Sequence, residues 1–519
     1  MKKFQILVAV ALLAVAGTSL AVTCAQDHVP GATLLVPYFK VSRNGNTDFS
    51  DLQGGPGTTE TMVAITNVSK AGVIAHVTLW TKYSVAVLDF NVPMTGYDVV
   101  KFYMRDILNG KLNVAGQDVD LCLPENASIG GFAQTTFQRF TNPDDSRNGD
   151  RALSTALYKP VAFSGAFRQQ VWASLDESGD ISSLSTLGTN VVDTTNYACN
   201  TAHSTSTLAG DFSGYLTIDV VNYCTNWFPG DAGSWVADAV ATTGWDPNNG
   251  PNVLMGDVFY IDSNPTSGNI SGDPAVSLEF DSRIVWGTAA TSGDKSFYGR
   301  YYTTADTGVP SKPDGSAADY SAVFAFVGDG REPLGLSYGF RYLWDGATTN
   351  PSQRTWATIW RSSKFEAATF PNKDLCTWYK SSAKATGGGF VDGQNGVNIS
   401  IYDNDENKYT TTTSGGPSGY VPPTIGKYFF LETQRIVVTP NTDFVPVSDT
   451  NGDWGLGGWI STNFNVSSHP FQAQAWVGVQ HSGVGLAVSV GHAATLLDNQ
   501  FQCVPATGVF LQDGNVISR

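Results

Sequence analysis

The stretch GVIAHVTLW, residues 72–80, decides how the rest of the chain is read. Val73, Ala75, Val77 and Leu79 share one parity, while Ile74, His76, Thr78 and Trp80 share the other. Successive side chains alternate between two faces only in an extended chain, so this period of two marks a β-strand. VLDFNV, residues 87–92, carries the pattern more cleanly, and it predicts Leu88, Phe90 and Val92 inward with Asp89 and Asn91 outward.

Working outward, ATLLVPYF, TMVAITNV and VKFYM join these two within residues 32–104, and GYLTIDVV, NVLMGDVFYI and AVSLEF follow between residues 214 and 280. Clusters of Gly, Asn, Ser and Pro separate them and supply the turns. Residues 110–213 are polar and loop-rich, with room for one short helix. A second group runs from AVFAFV through LSYGFRYLW, RTWATIW, NISIY, KYFFLETQRIVV, GGWISTNF and AQAWVGVQ to GLAVSVGHA. Two groups of short strands predict an all-β chain of two antiparallel β-sandwich domains, Ig-like or jelly-roll-like, with long loops. The turn-rich GTAATSGDKS divides them into an N-terminal domain over 22–295, with its loop-rich insertion, and a C-terminal domain over 296–519. RTWATIW followed by NISIYD echoes TMVAITN followed by HVTLWT, although two short matches do not establish a duplication.

TLLVPYF, then NVSKAGVIAHVTLWTKYSVAVLDFNVPMTGYDV and RDILNG, with GYLTIDVVNYC and NVLMGDVFYID, resemble a group of exported bacterial β-rich proteins to which no activity is assigned. The resemblance implies export from a Gram-negative cell and brings no catalytic residue with it.

The N-terminus agrees with export on its own terms. Lys2 and Lys3 precede an apolar run from Phe4 to Gly17 that ends in small residues, the order of a secretory signal peptide, and the run is short of the roughly 20 residues a spanning helix needs. The signal is assigned to residues 1–21, because cleavage after Ala21 keeps all six cysteines, whereas cleavage after Ala25 removes Cys24 and strands a thiol. Lipidation at Cys24 fits poorly, since β-branched Thr23 precedes it. Cys199 and Cys224 flank GYLTIDVV and are expected to form a disulfide worth about 3 kcal/mol by loop-closure entropy; Cys24, Cys122, Cys376 and Cys503 are not paired by sequence. The expected location is extracellular or on the outer cell surface, with the periplasm as the alternative compartment.

Composition narrows the partners. The formal charge is −16 before the two lysines of the signal are lost, which disfavours nucleic acid and anionic lipid. No later stretch is apolar for long enough to span a membrane as a helix, so no integral membrane segment is expected after signal removal.

Each chemical constellation lacks a member. GLSYG, residues 335–339, places Ser337 in the pentapeptide of a nucleophile elbow, but REPL precedes it and the strand-like FRYLW follows, where a strand and a helix are required. GTAATSGDKS has five residues where a phosphate loop has four, and Asp294 would repel the phosphate. The six histidines show no zinc spacing. Glu279 and Asp281 in SLEFDSRI share a face and resemble part of the E-x-D-x-x-E strand of laminarinase-like hydrolases, yet Ile284 stands where the second glutamate belongs.

Two weaker patterns remain. Asp403, Asp405 and Asn407, and again Asp449, Asn451 and Asp453, alternate oxygen ligands in turns, so calcium is the best-supported inorganic partner, with no cofactor as the alternative. Lys408 at the turn-glycine position and Ser414 at the bidentate-glutamate position exclude an EF-hand. Trp356 and Trp360 share a strand face near Trp344 and would form a stacking platform for sugar rings, against the alternative of packing between sheets. The reading is a non-enzymatic exported or cell-surface protein with a binding or structural role, its partner a glycan or a cell-surface protein; the alternative is a secreted polysaccharide hydrolase.

Overall fold

The computed structural model describes residues 29–45, 50–82, 86–110, 171–172, 175–176, 210–221, 252–263, 270–280, 297–298, 331, 334–343, 353–363, 398–403, 408–410, 433–438, 457–464, 472–483, 488–496, 508–510 and 516–518. Most of these are β-strand. In chain order the strands are β1 (Thr33–Val41), β2 (Thr59–Asn67), β3 (Val73–Thr81), β4 (Ala86–Met94), β5 (Val99–Tyr103), β6 (Phe212–Val221), β7 (Leu254–Asp262), β8 (Ile270–Pro274) and β9 (Val276–Leu278). They continue with β10 (Ser337–Leu343), β11 (Gln353–Ser363), β12 (Asn398–Asp403), β13 (Lys408–Thr410), β14 (Thr433–Val438), β15 (Gly457–Asn463), β16 (Gln472–Gly483), β17 (Val488–Ala493) and β18 (Thr495–Leu496). A hairpin of β19 (Gly508–Phe510) and β20 (Val516–Ser518) ends the series, and a short helix, α1 (Met104–Leu108), follows β5. Among the described residues no helix is long and apolar enough to cross a membrane.

Three larger sheets organise the chain. Sheet I has the order β4-β3-β6-β1-β9, sheet III the order β13-β12-β15-β10-β18, and the eight-stranded sheet II the order β14-β11-β16-β17-β8-β7-β2-β5. All pairings are antiparallel except β8 with β17. Adding nine to each strand number of sheet I gives sheet III in the same order, and the same addition turns β5-β2-β7-β8 into β14-β11-β16-β17. β10–β18 therefore repeat β1–β9 strand for strand.

The ladders fix the correspondence residue by residue. His76 opposes Asp219 and Thr78 opposes Thr217 in the first repeat; Asn398 opposes Asn463 and Ser400 opposes Ser461 in the second. Met62 opposes Tyr103 and Phe259, as Trp356 opposes Val437 and Gln480. These pairings align GYLTID (214–219) with GWISTN (458–463), and the sequence echo between HVTLWT and NISIYD falls in the same register.

Strand order in sheet II is mirrored about the parallel β8–β17 seam, where Val488, Ser489 and Val490 face Ile270, Ser271 and Gly272. Mirrored order with parallel central strands requires a two-fold relation about an axis running along the strands. That operation turns the sheet over, so sheets I and III lie on opposite faces of sheet II. Leu34, Val36, Val77, Leu79, Leu216 and Ile218 of sheet I accordingly pack with Val63, Ile65 and Val258 of sheet II in one core. On the other side, Thr355 of β11 meets Leu343 of β10, its Oγ1 accepting the Leu343 N–H at 2.9 Å.

The symmetry is broken in one respect. Sheet II curls, so that β1 touches β2 and β7 on one side and β11 and β14 on the other. Trp360 meets Tyr215 edge to face at 5.9 Å, and Thr433 Oγ1 donates to the Pro37 carbonyl. Sheet I is thereby covered on both faces. Asp89 and Asn91, expected outward, are each 1 % exposed: alternation separates two faces but does not make the second one wet.

Candidate functional site

Outside the described residues lie the signal segment, all six cysteines, Trp344, Asp281, Asp405, Asn407, Asp449, Asn451 and Asp453. Of the calcium loops, only Asp403, at the end of β12, is placed, and only by its backbone. Glu279 is half-buried just after β9. Ser337 opens β10, so a strand follows it. Trp360 is buried between Tyr215 and Phe297, the latter ring stacked on it at 5.4 Å, and Trp356 is half-buried against the Arg435 guanidinium at 4.7 Å.

The structure instead brings together residues that the sequence did not mark. A cleft of about 480 Å³ opens where β2, β5, β7 and α1 meet the segment 52–58, within the size range of small-ligand sites. Glu60 of β2 and Arg105 of α1 lie at its base and Tyr103 at its rim, with Gln53, Asp106 and Ser263 completing the polar lining. Glu60 Oε1 accepts the Thr61 N–H at 2.9 Å and the Arg105 N–H at 3.1 Å, satisfying a donor in the first turn of α1, whose N-cap Tyr103 makes no side-chain cap. Glu60 Oε2 faces Arg105 Nη1 at 3.1 Å, and Arg105 Nη2 donates to the Thr59 carbonyl at 3.1 Å.

The wall of the cleft is held by its own hydrogen bonds. Asn109 Oδ1 accepts the Leu52 N–H at 2.7 Å, and Nδ2 returns a bond to the Leu52 carbonyl at 3.0 Å. Ser263 Oγ takes the Thr58 N–H at 3.0 Å and donates to the Gly55 carbonyl. Gly57 has φ of +82° in the turn between them, a conformation glycine adopts freely. A Cβ on Gly54 would lie 2.7 Å from Arg105 Nη1, so the guanidinium fills the space a side chain would take.

Burial pushes the Glu60 carboxyl up to about 7; the Arg105 charge and the two backbone N–H groups oppose that rise, and the Asp106 charge adds to it. A carboxylic acid holding its proton near neutrality beside a second carboxylate is an arrangement able to serve acid chemistry. Both Glu60 oxygens are nevertheless occupied by donors of this chain, which suits a structural tie equally.

A second polar cluster is closed. On the second face of sheet I, Asp219 accepts Thr33 Oγ1 at 2.5 Å and Tyr298 OH at 2.7 Å, and faces Arg331 Nη2 at 3.5 Å; Arg331 is fully buried. Beside it His76 sits between Asn91 Oδ1, 3.1 Å from Nδ1, and Asp89 Oδ2, 3.6 Å from Nε2. Burial first, then the Asp219 charge, raises the Tyr298 hydroxyl well above its ordinary range.

No family model, curated protein or solved structure matches this chain. Sequence reasoning missed Glu60 and Arg105 because they come from separate elements; the one local signal was a glutamate on the outer parity of TETMVAITN.

Proposed function

We propose that the chain is a non-enzymatic exported or cell-surface protein whose two β-sandwich halves, residues 22–295 and 296–519, are joined through one shared sheet, and whose cleft beside Glu60 binds a saccharide segment of a surface glycan. The observation that carries this reading is the cleft's division of labour. Its central carboxylate is tied to Arg105, Thr61 and the start of α1, while the Tyr103 ring, 37 % exposed at the rim, offers a stacking surface beside the polar side chains of Gln53 and Asp106. Rings of that kind, with hydroxyl-seeking polar groups around them, suit sugars better than purely apolar ligands. Mature protein is tested by calorimetric titration with a panel of oligosaccharides, beside Tyr103→Ala and Gln53→Ala. Binding weakened about tenfold in Tyr103→Ala is the expected result; failure of every saccharide to bind sinks it.

The elevated Glu60 carboxyl, with Asp106 beside it, favours one second reading, a secreted polysaccharide hydrolase. Turnover of a polysaccharide that disappears in both Glu60→Gln and Asp106→Asn decides for it.

A further inference from the structure

The two repeats are equivalent in topology but not in environment, and the difference singles out two surfaces. In the second repeat, the face of sheet II turned away from sheet III carries Trp356, Thr358 and Trp360 on β11, Thr433 and Arg435 on β14 and Gln480 on β16. That face is covered within the molecule by the second face of sheet I. Tyr215 lies against Trp360, and Thr433 Oγ1 donates to the Pro37 carbonyl.

The register assigns the equivalent surface of the first repeat residue by residue. Met62, Ala64 and Thr66 on β2 take the places of Trp356, Thr358 and Trp360; Val99 and Lys101 on β5 take those of Thr433 and Arg435; and Phe259 on β7 takes that of Gln480. This face is open. Val99 is 62 % exposed, Ile270 at the β8 end is 50 % exposed, Lys101 is exposed, and Met62, Ala64, Thr66 and Phe259 are half-exposed. Val99–Thr66–Met255 and Met62–Phe259 form two transverse rows of largely apolar side chains on this face. Solvated faces of antiparallel sheets are normally polar, so rows of this kind mark an interaction surface.

The complementary surface is also partly exposed. Thr33, Tyr215, Thr217 and Asp219, on the second face of sheet I, are buried. Their counterparts on sheet III, Ser337, Trp459, Ser461 and Asn463, are half-exposed, and on the same face Arg341 and Leu343 are exposed, Leu343 at 40 %. A sheet that curls toward sheet I cannot also curl toward sheet III. One of the two equivalent contacts is therefore made inside the molecule, and both partners of the other remain on its surface.

We propose that this second contact forms between copies of the chain: the open face of sheet III of one copy docks on the open β5-β2-β7 face of another. The occupant is a second copy because the equivalent contact inside the chain already joins the same two structural surfaces. The contact is heterologous, so one-way docking builds a chain of copies and reciprocal docking closes a dimer.

The test uses mature full-length protein in sedimentation-velocity ultracentrifugation over a range of concentrations, with two variants at exposed positions, Val99→Glu and Leu343→Glu. Thermal melts that match the parent establish that each variant folds; where one does not, Lys101→Glu or Arg341→Glu replaces it. The parent is expected to associate, as dimers or longer species, and each variant to associate at least about tenfold more weakly. An equimolar mixture of the two variants is expected to form dimers and nothing longer, because one intact surface of each kind remains. Parent protein that stays monomeric at the highest soluble concentration, association that neither variant weakens, or a mixture that associates no better than either variant alone overturns the proposal.

Discussion

At the scale of single residues, buried charges account for several features that hydropathy does not. Asp219 is the acceptor that makes a fully buried Arg331 tolerable, and the pair is completed by Thr33 and Tyr298. Removing the carboxylate takes a counter-charge away from a guanidinium in a dry layer, so Asp219→Ala is expected to cost about 3–5 kcal/mol in urea unfolding. Asp219→Asn, which keeps acceptor capacity, is expected to cost less. A second prediction concerns pH. Burial raises both Glu60 and Asp273 to about 7; Arg105 faces the first and lowers it while Asp106 raises it, and Arg435 and Gln480 lower the second. Folded-state values above the ordinary carboxylate value of about 4 mean that the folded chain holds more protons than the unfolded chain between roughly pH 4 and 7. These two groups therefore stabilise the fold in acid and lose that contribution as pH rises through about 7. Unfolding midpoints measured from about pH 5 to 8 are expected to fall, and the slope is expected to flatten in a Glu60→Gln, Asp273→Asn double variant. The expectation that Asp89 and Asn91 point to water failed because parity is a local property. What covers a face, here the returning strand β11 with Phe297, Tyr298 and Arg331, comes from several hundred residues away.

At the scale of elements, the parallel seam between β8 and β17 is the weld of the two repeats, and its side chains are built for close approach. Gln480 Nε2 donates to Asp273 Oδ2 at 2.7 Å, and Arg435 Nη2 donates to Gln480 Oε1. Gly491 lies under these hydrogen-bonded side chains, and a Cβ there would collide with the Asp273 carboxylate and with the Gly272 carbonyl oxygen. Its counterpart in the first repeat, Gly272, would place a Cβ 3.3 Å from the Phe259 ring edge, where a small shift suffices. Gly491→Ala is accordingly expected to destabilise by about 1–3 kcal/mol or more and Gly272→Ala by clearly less, read from denaturant midpoints of the two variants. Most strands were legible in the sequence, from TLLVPYF to GLAVSVGHA, because a two-residue period and its flanking turns are local signals. Their order was not, since β1 pairs with β6 and β9 across more than a hundred residues of chain and nothing local records a partner. The echoes of TMVAITN in RTWATIW and of HVTLWT in NISIYD were the traces of the repeat, and they survived because β2 and β11, and β3 and β12, occupy the same register positions in the two repeats.

At the scale of the whole molecule, the division of the chain at residue 295 meets a sheet that does not divide there. Cutting between β9 and β10 parts β8 from β17, opens two central strands as edges, and removes Trp360 from Tyr215 and the Thr433 hydroxyl from Pro37. Sheet I would lose the cover over His76, Asp89 and Asp219, and Arg331, whose guanidinium partners Thr33 and Asp219, would be carried off on the other fragment. Polar groups that are buried and paired in the whole chain would then be unpaired or wet, at a cost that grows with each one. Two outcomes can be separated by expressing residues 22–295 and 296–519 apart and together. If the halves are independent units, each melts cooperatively alone and mixing changes neither transition. If the seam and the returning strands are integral to the fold, each half alone aggregates or melts broadly, and co-expression restores a single complex with one sharp transition. The second outcome is expected, because the cut severs a central ladder of sheet II and the ion pair of a fully buried arginine, rather than a few rim side chains between finished domains.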